Sequence, residues 1–394
     1  MGDTLEIMNF GAIRSMKVEI KPLMVFIGSQ GTGKSTVSKL LTIFNDYWWY
    51  RKLLKKEDVH EEFKIMGIDK YFQKDTYFNY SANDIIITYR SGEFSLECSA
   101  MPCEEILNAI EQRLVEASGH MLKELGMDPN VKLTNKEVRD NVMVIRSNSR
   151  TLCYIPTERS MAPALADSFI NITLNKIPLP YTIVEYLALY EKAKASITSF
   201  KSDFLNVSYS SEKEDENICI DSVADKWLTL RECSSGVQST LPMQMIIEYC
   251  RRTESFDRYV VEEPEENLFP ENQYELLKFL LSYYNNLEHR SDFILNTHSP
   301  YILTALNVAL LAYKVGNNPD FKETVQAILQ SEYWAAPDDV AVYALGYPDG
   351  EYCRSLIDEQ TGIISVNFLD SASENIGRDF NRLYELYIKS LKNE

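Results

Sequence analysis

Residues 23–36 read LMVFIGSQGTGKST, and this stretch decides the fold. Leu23 to Ile27 is a short, wholly apolar run, the pattern of a strand buried on both faces of a parallel sheet. Gly28, Ser29, Gln30, Gly31, Thr32, Gly33, Lys34 and Ser35 then satisfy G-x-x-x-x-G-K-[ST], followed by Thr36 and a helical stretch from Ser35 to about Leu54. The chemistry explains the residue types. Phosphate oxygens crowd several negative charges together, and backbone N–H groups can surround them only if the chain curls tightly, which glycine permits. The helix that follows presents free donors and a partial positive charge. Lys34 is placed to reach the β- and γ-phosphates, and the Ser35 hydroxyl to complete a magnesium shell. By itself the loop implies ATP or GTP with Mg2+; ATP follows from the stretches read below.

Working outward, Leu5–Asn9 and Met16–Ile20 read as two short strands about a Gly11 turn. Asp84–Tyr89 and Glu93–Glu97 read as a hairpin turning at Ser91-Gly92. Helices are expected over 104–125, 135–144, 181–200, 238–251 and 273–285, with Pro242 in a first turn, where proline is tolerated. Leu152–Pro156, Phe204–Tyr209, Ile218–Ile220, Trp227–Arg231, Arg258–Val261, Asp292–Asn296 and Val340–Leu345 read as strands. Alternation of strand and helix around the loop argues for a mainly parallel α/β sheet. The middle, 55–225, is poorer in that pattern and reads as an insertion between 1–54 and 226–394. The cluster Tyr47, Trp48, Trp49 and Tyr50 could stack bases, although packing at a helix end explains it more simply.

Bulk properties narrow the function. The chain has 394 residues and a formal net charge of -18, which does not favour a nucleic-acid wrapper. Seven scattered cysteines without metal-ligand spacing read as reduced thiols. No stretch is long and apolar enough for a membrane span, so a cytoplasmic location is expected.

Three further stretches fall in order behind the loop. Tyr259-Val260-Val261 ends in Glu262 and Glu263, then Pro264, Glu265 and Glu266. Two acids at the end of a buried strand sit where α/β sheets place ligands; Glu262 suits the metal, and Glu263 the attacking water. Ser234, Ser235, Gly236, Val237 and Gln238 open a helix, and by themselves make an ordinary N-cap or a second anion site. Phe293–Asn296 leads to Thr297, His298, Ser299 and Pro300, where a strand-end histidine can donate to a γ-phosphate.

Taken in sequence, GSQGTGKST, SSGVQ, VVEEPEENLFP and NTHSP resemble the ABC-type ATPase heads of the RecF, SMC and OLD group. The loop resembles Walker A, SSGVQ the signature, VVEE the Walker B strand with its catalytic acid Glu263, and NTHSP the switch histidine His298. The Glu-Glu-Pro-Glu form looks most like OLD-type members. The resemblance implies an α/β, ABC-type P-loop NTPase with a mainly parallel core sheet, N-terminal antiparallel strands and a partly helical insertion. It implies a homodimer, or a higher oligomer of dimers, in which Ser235, Gly236 and Gln238 of one subunit close over ATP bound to the other. Glu262 stands where aspartate is common, and Val237 where transporter signatures carry glycine. No Q-loop glutamine is evident; Gln73 is the candidate, and Arg159 is the alternative residue to line the nucleotide site. The last ninety residues carry no strand-linked Asp-x-Asp, so no nuclease activity is expected in this chain. The implied role is an ATPase subunit of a bacterial anti-phage system, similar to those of PARIS or Septu, controlling a separately encoded effector such as a nuclease. The alternative is a RecF-like repair ATPase that binds DNA in an ATP-dependent manner.

Overall fold

The computed structural model describes residues 3–82, 85–98, 102–105, 152–166, 179–212, 217–221, 226–287, 289–346, 352–364, 378 and 381–384. The expected helices over 104–125 and 135–144 lie largely or wholly outside them.

Three sheets organise the described residues. Strands β1 (Thr4–Phe10), β2 (Ile13–Glu19), β4 (Phe72–Ala82), β5 (Ile85–Arg90) and β6 (Glu93–Cys98) form an antiparallel sheet in the order β2-β1-β4-β5-β6. The core sheet runs β15-β14-β3-β13-β12-β7, where β3 is Leu23–Gly28, β7 Leu152–Ile155, β12 Arg258–Glu262, β13 Asp292–Thr297, β14 Val340–Leu345 and β15 Cys353–Ser355. The five strands from β14 to β7 run parallel, through four pairings, and β15 alone among the described strands of this sheet is antiparallel. The expected mainly parallel core and N-terminal antiparallel strands are therefore both present. A third, antiparallel sheet joins β8 (Ser199–Ser202), β9 (Val207–Ser210), β10 (Ile218–Ile220) and β11 (Trp227–Leu228). The stretch 55–225 is woven into all three, since β4–β6 extend the first sheet and β7 edges the core.

Burial explains why the strands read as they do. All of β3 and β14 is buried, as expected of strands covered on both faces, whereas β1 and the Thr76–Ala82 half of β4 largely alternate buried with more exposed residues. Leu23, Val25 and Ile27 face one core cluster, and Met24 and Phe26 the other. The β5–β6 turn has Ser91 at φ 54° and Gly92 at φ 90°, the signs that a tight hairpin requires.

Among the helices, α1 (Lys34–Phe44) follows the loop, and α2 (Tyr47–Leu54) starts afresh where Asp46 accepts a hydrogen bond from Trp48 N–H at 2.8 Å. The single helix expected over 35–54 is thus two. Trp49 is fully buried, its ring 5.4 Å from Phe44 and 5.3 Å from Phe94, and its indole N–H donates to Val59 O. Trp49 and Tyr50 thus pack the helix end, whereas Trp48 is exposed.

Helices α3 (Glu61–Ile65), α4 (Ala162–Ala166), α5 (Tyr181–Ser196), α6 (Ser235–Arg252), α7 (Pro270–Tyr284), α8 (Pro300–Gly316) and α9 (Lys322–Ile328) follow. Because α6 begins at Ser235, Pro242 lies in the helix interior rather than in its first turn. Cys98 and Cys103 form a disulfide with Cα atoms 5.3 Å apart, correcting the expectation that all the thiols are free. A separation of five residues at a strand end is short enough to bring the two side chains together. No helix among the described residues is long and apolar enough to cross a membrane.

Candidate functional site

The parallel register brings four strand ends to one edge. Gly28 closes β3, and its neighbours there pair Thr297 with Ile27, Asn296 with Glu262, and Val261 with Ile155. The loop 28–36, the two acids, His298 and the chain after Ile155 therefore share the carboxyl edge of the sheet, where such sheets hold ligands.

The loop is shaped by close approach. A Cβ on Gly28 would stand 2.6 Å from Leu345 O, and one on Gly33, at φ 83°, 2.7 Å from Ile13. Tyr352 OH braces the loop by donating to Thr32 O at 2.6 Å. Lys34 is buried and donates to Gly28 O at 2.7 Å and Ser29 O at 3.1 Å. Burial lowers its pKa to about 8, although Glu262, Glu263 and Glu265 oppose the shift.

Beside it, Ser35 Oγ donates to Glu262 Oε2 at 2.9 Å. The other oxygen, Oε1, accepts from Tyr154 OH at 2.6 Å and Asn296 Nδ2 at 2.8 Å. Two donors on the inner oxygen fix the carboxylate and leave the outer one facing the hydroxyl. A hydroxyl next to a carboxylate is a pair of hard oxygen donors, which suits Mg2+ completed by phosphate and water. Ser35 and Glu262 line both a cavity of about 470 Å³ that holds the loop, Glu263 and His298, and a neighbouring one of about 750 Å³.

Glu263 has φ 42°, a left-handed backbone that turns its side chain out of the strand line. Its N–H donates to Asn296 O at 2.7 Å, and its Oε1 lies 3.7 Å from His298 Nε2. The His298 pKa is lowered, first by burial and then by the Lys34 charge, which favours the neutral imidazole.

The remaining expected residues divide. Ser235 is exposed at the start of α6 and lines neither cavity. Gly236 is buried where a Cβ would meet Asn267 O at 2.9 Å. Gln238 Nε2 donates to Cys233 O at 2.7 Å and Arg231 O at 3.0 Å, bracing the turn before its own helix. Within one chain, then, these three stand apart from the phosphate loop.

Arg159 does not line the cavity. It is fully buried, donating from Nη1 to Pro156 O at 3.1 Å and Glu262 O at 2.5 Å, and from Nη2 to Glu263 O at 2.5 Å. It holds the backbone of the acidic turn instead. Gln73 also stays out of the cavity; its amide donates to Gly11 O at 3.1 Å. Residues that sequence reading did not assign are Tyr154, Asn296 and Tyr71, the last lining the loop cavity together with Glu263. Tyr154 and Asn296 were detectable only as polar side chains interrupting otherwise apolar strands next to the motifs.

A family model described as an AAA ATPase domain matches the chain in two overlapping segments, residues 1–155 and 107–303. The chain belongs to the AAA ATPase domain family. The match spans the loop, Glu262, Glu263 and His298. No curated protein matches the chain. Among solved structures, an SMC head bound to the C-winged helix domain of ScpA is 12% identical, with TM-score 0.42, over 91% of this chain and 99% of that one. The SMC head domain from Thermotoga maritima is 14% identical, with TM-score 0.35, over 77% and 92%. An SMC head with an extended coiled coil, bound to the C-terminal domain of ScpA derived from Pyrococcus furiosus, is 12% identical, with TM-score 0.41, over 90% and 96%. Membership in the AAA ATPase domain family rests on the family match together with the strand-end geometry.

Proposed function

We propose that this AAA ATPase domain binds ATP with Mg2+ through Gly28–Thr36 and hydrolyses it to ADP and phosphate. One observation carries the reading: the sheet register gathers the loop, the Ser35–Glu262 pair, Glu263 and His298 around one cavity. Backbone N–H groups of Gly31 to Ser35 would cradle the phosphates, and Lys34 would exchange its two loop carbonyls for phosphate oxygens. Ser35 and Glu262 would hold Mg2+, which neutralises phosphate charge when bound. Glu263 would orient the attacking water and accept its proton as the oxygen bonds to the γ-phosphorus and ADP leaves. Neutral His298 would donate from Nε2 to the γ-phosphate. Phosphate release by wild type, against loss of release with retained ATP binding in Glu263→Gln, is the expected result. Equal release by the two proteins would sink the assignment.

The exposed position of Ser235 supports a second part of the proposal. Two copies would pair head to head, with Ser235, Gly236 and Gln238 of one facing ATP on the other. We further read the chain as the ATPase subunit of an anti-phage system acting on a separately encoded effector, a reading supported by the Glu-Glu-Pro-Glu form of its motif. Cells carrying Lys34→Ala should lose phage resistance; resistance equal to wild type would discard that role.

A further inference from the structure

Glu265 lies three residues past Glu262, and its role is not explained by contact with any ligand. Its Oε1 accepts two hydrogen bonds, from Thr297 Oγ1 at 2.8 Å and from the His298 backbone N–H at 2.8 Å. Its Oε2 is buried with no hydrogen-bond partner, although the residue as a whole is only half-buried. Burial raises the carboxyl's pKa, and the bonds from His298 and Thr297 oppose it. A carboxyl with one orphaned oxygen is costly to keep inside a protein. What is obtained in exchange is a fixed geometry. Thr297 Oγ1 accepts from Ser299 N–H at 2.9 Å, and Ser299 caps α8 by accepting from Tyr301 N–H at 3.1 Å while donating to Gln273 Oε1 at 2.6 Å. One connected path thus runs from the acidic turn, through the end of β13, to the starts of two helices.

We propose that Glu265 is a positioning residue: through Oε1 it ties the Glu262–Glu266 turn to the Thr297–His298 strand end, and so sets where His298 stands relative to Glu263. This rests on the reading of Glu263 and His298 given above. Glu265 acts through the His298 main chain rather than on nucleotide. A glutamine keeps a carbonyl oxygen at Oε1 and supplies N–H groups in place of the orphan; an alanine removes the tie.

Amide hydrogen exchange on the nucleotide-free, full-length protein tests the tie directly. In Glu265→Ala the His298 amide should exchange about tenfold faster or more, with the core of β3 and β12 unchanged, while Glu265→Gln should stay near wild type. In steady-state assays Glu265→Ala should lose about tenfold in kcat with nucleotide Kd within about twofold, because only the reacting geometry is disturbed. Unchanged His298 exchange in Glu265→Ala, or faster exchange throughout the core in both variants, would overturn the proposal. The exchange measurement needs no turnover. If the wild type failed to hydrolyse ATP, the functional reading would fall, while the exchange result would still decide the tie.

Discussion

Lys34 carries the charge that phosphate requires, and the same burial that shapes its pocket works against that charge. With a pKa lowered to about 8, its ammonium is present below that value and lost as pH rises through it. A bound polyanion favours the charged form, so binding takes up a proton above pH 8. ATP affinity should therefore be flat from pH 6.5 to 7.5 and fall by up to about tenfold per pH unit above 8. Titrating a fluorescent ATP analogue across that range measures it, and Lys34→Met should bind weakly with no such slope. Arg159 presents the opposite case, a permanent charge with no access to ligand. Removing it takes the guanidinium donors from Glu262 O and Glu263 O and leaves Glu266, 3.6 Å from Nη2, without that cation. Arg159→Ala should cost about 3 kcal/mol or more in stability, read by urea unfolding. Arg159→Lys should recover only part, since an ammonium cannot place two nitrogens on two carbonyls.

At the scale of single elements, helix ends and close approaches are where the chain can be tested. At the restart the Asp46 side chain caps α2 by accepting from Trp48 N–H, so Asp46→Ala should cost about 1 kcal/mol or more and Asp46→Asn much less. Gly316 ends α8 against the Trp334 ring, where a Cβ would come within 2.1 Å. Gly316→Ala should lower thermal stability by about 1–3 kcal/mol through overpacking, and Trp334→Leu in the same chain should relieve part of it. These features also mark how far the sequence could be read. β3, β12, β13 and β14 were legible because their centres are buried on both faces and so carry apolar runs, Leu23–Ile27, Tyr259–Val261, Phe293–Leu295 and Val340–Leu345. β4 was not read as a strand, because only its second half, from Thr76 to Ala82, buries alternate residues, and its polar ones face outward. The break at Asn45-Asp46 was hidden because α1 and α2 both carry apolar residues at helical spacing. The loop, the two acids and His298 were each visible as motifs beside apolar runs. Arg159 was misplaced because its partners are main-chain carbonyls more than a hundred positions away, which leave no mark in residue type.

On the scale of the whole molecule, the site as one chain builds it is one-sided. Lys34, Ser35, Glu262, Glu263 and His298 converge on one cavity, whereas Ser235 is exposed and away from it. If a twofold dimer supplies the missing face, every composite site takes Lys34 from one copy and Ser235 from the other. Complementation between two inactive variants then discriminates sharply. Lys34→Ala and Ser235→Arg should each lose ATP turnover when assayed by themselves. Mixed in equal amounts, half of the dimers pair unlike chains, and each such dimer carries one site with both residues intact and one with neither. Turnover should return to about a quarter of wild type for independent sites in a freely exchanging twofold dimer. Turnover that stays at the level of the single variants would place Ser235 and Lys34 in separate functions and remove the head-to-head arrangement. Recovery that depends on protein concentration would, in addition, report the strength of the pairing that closes the site.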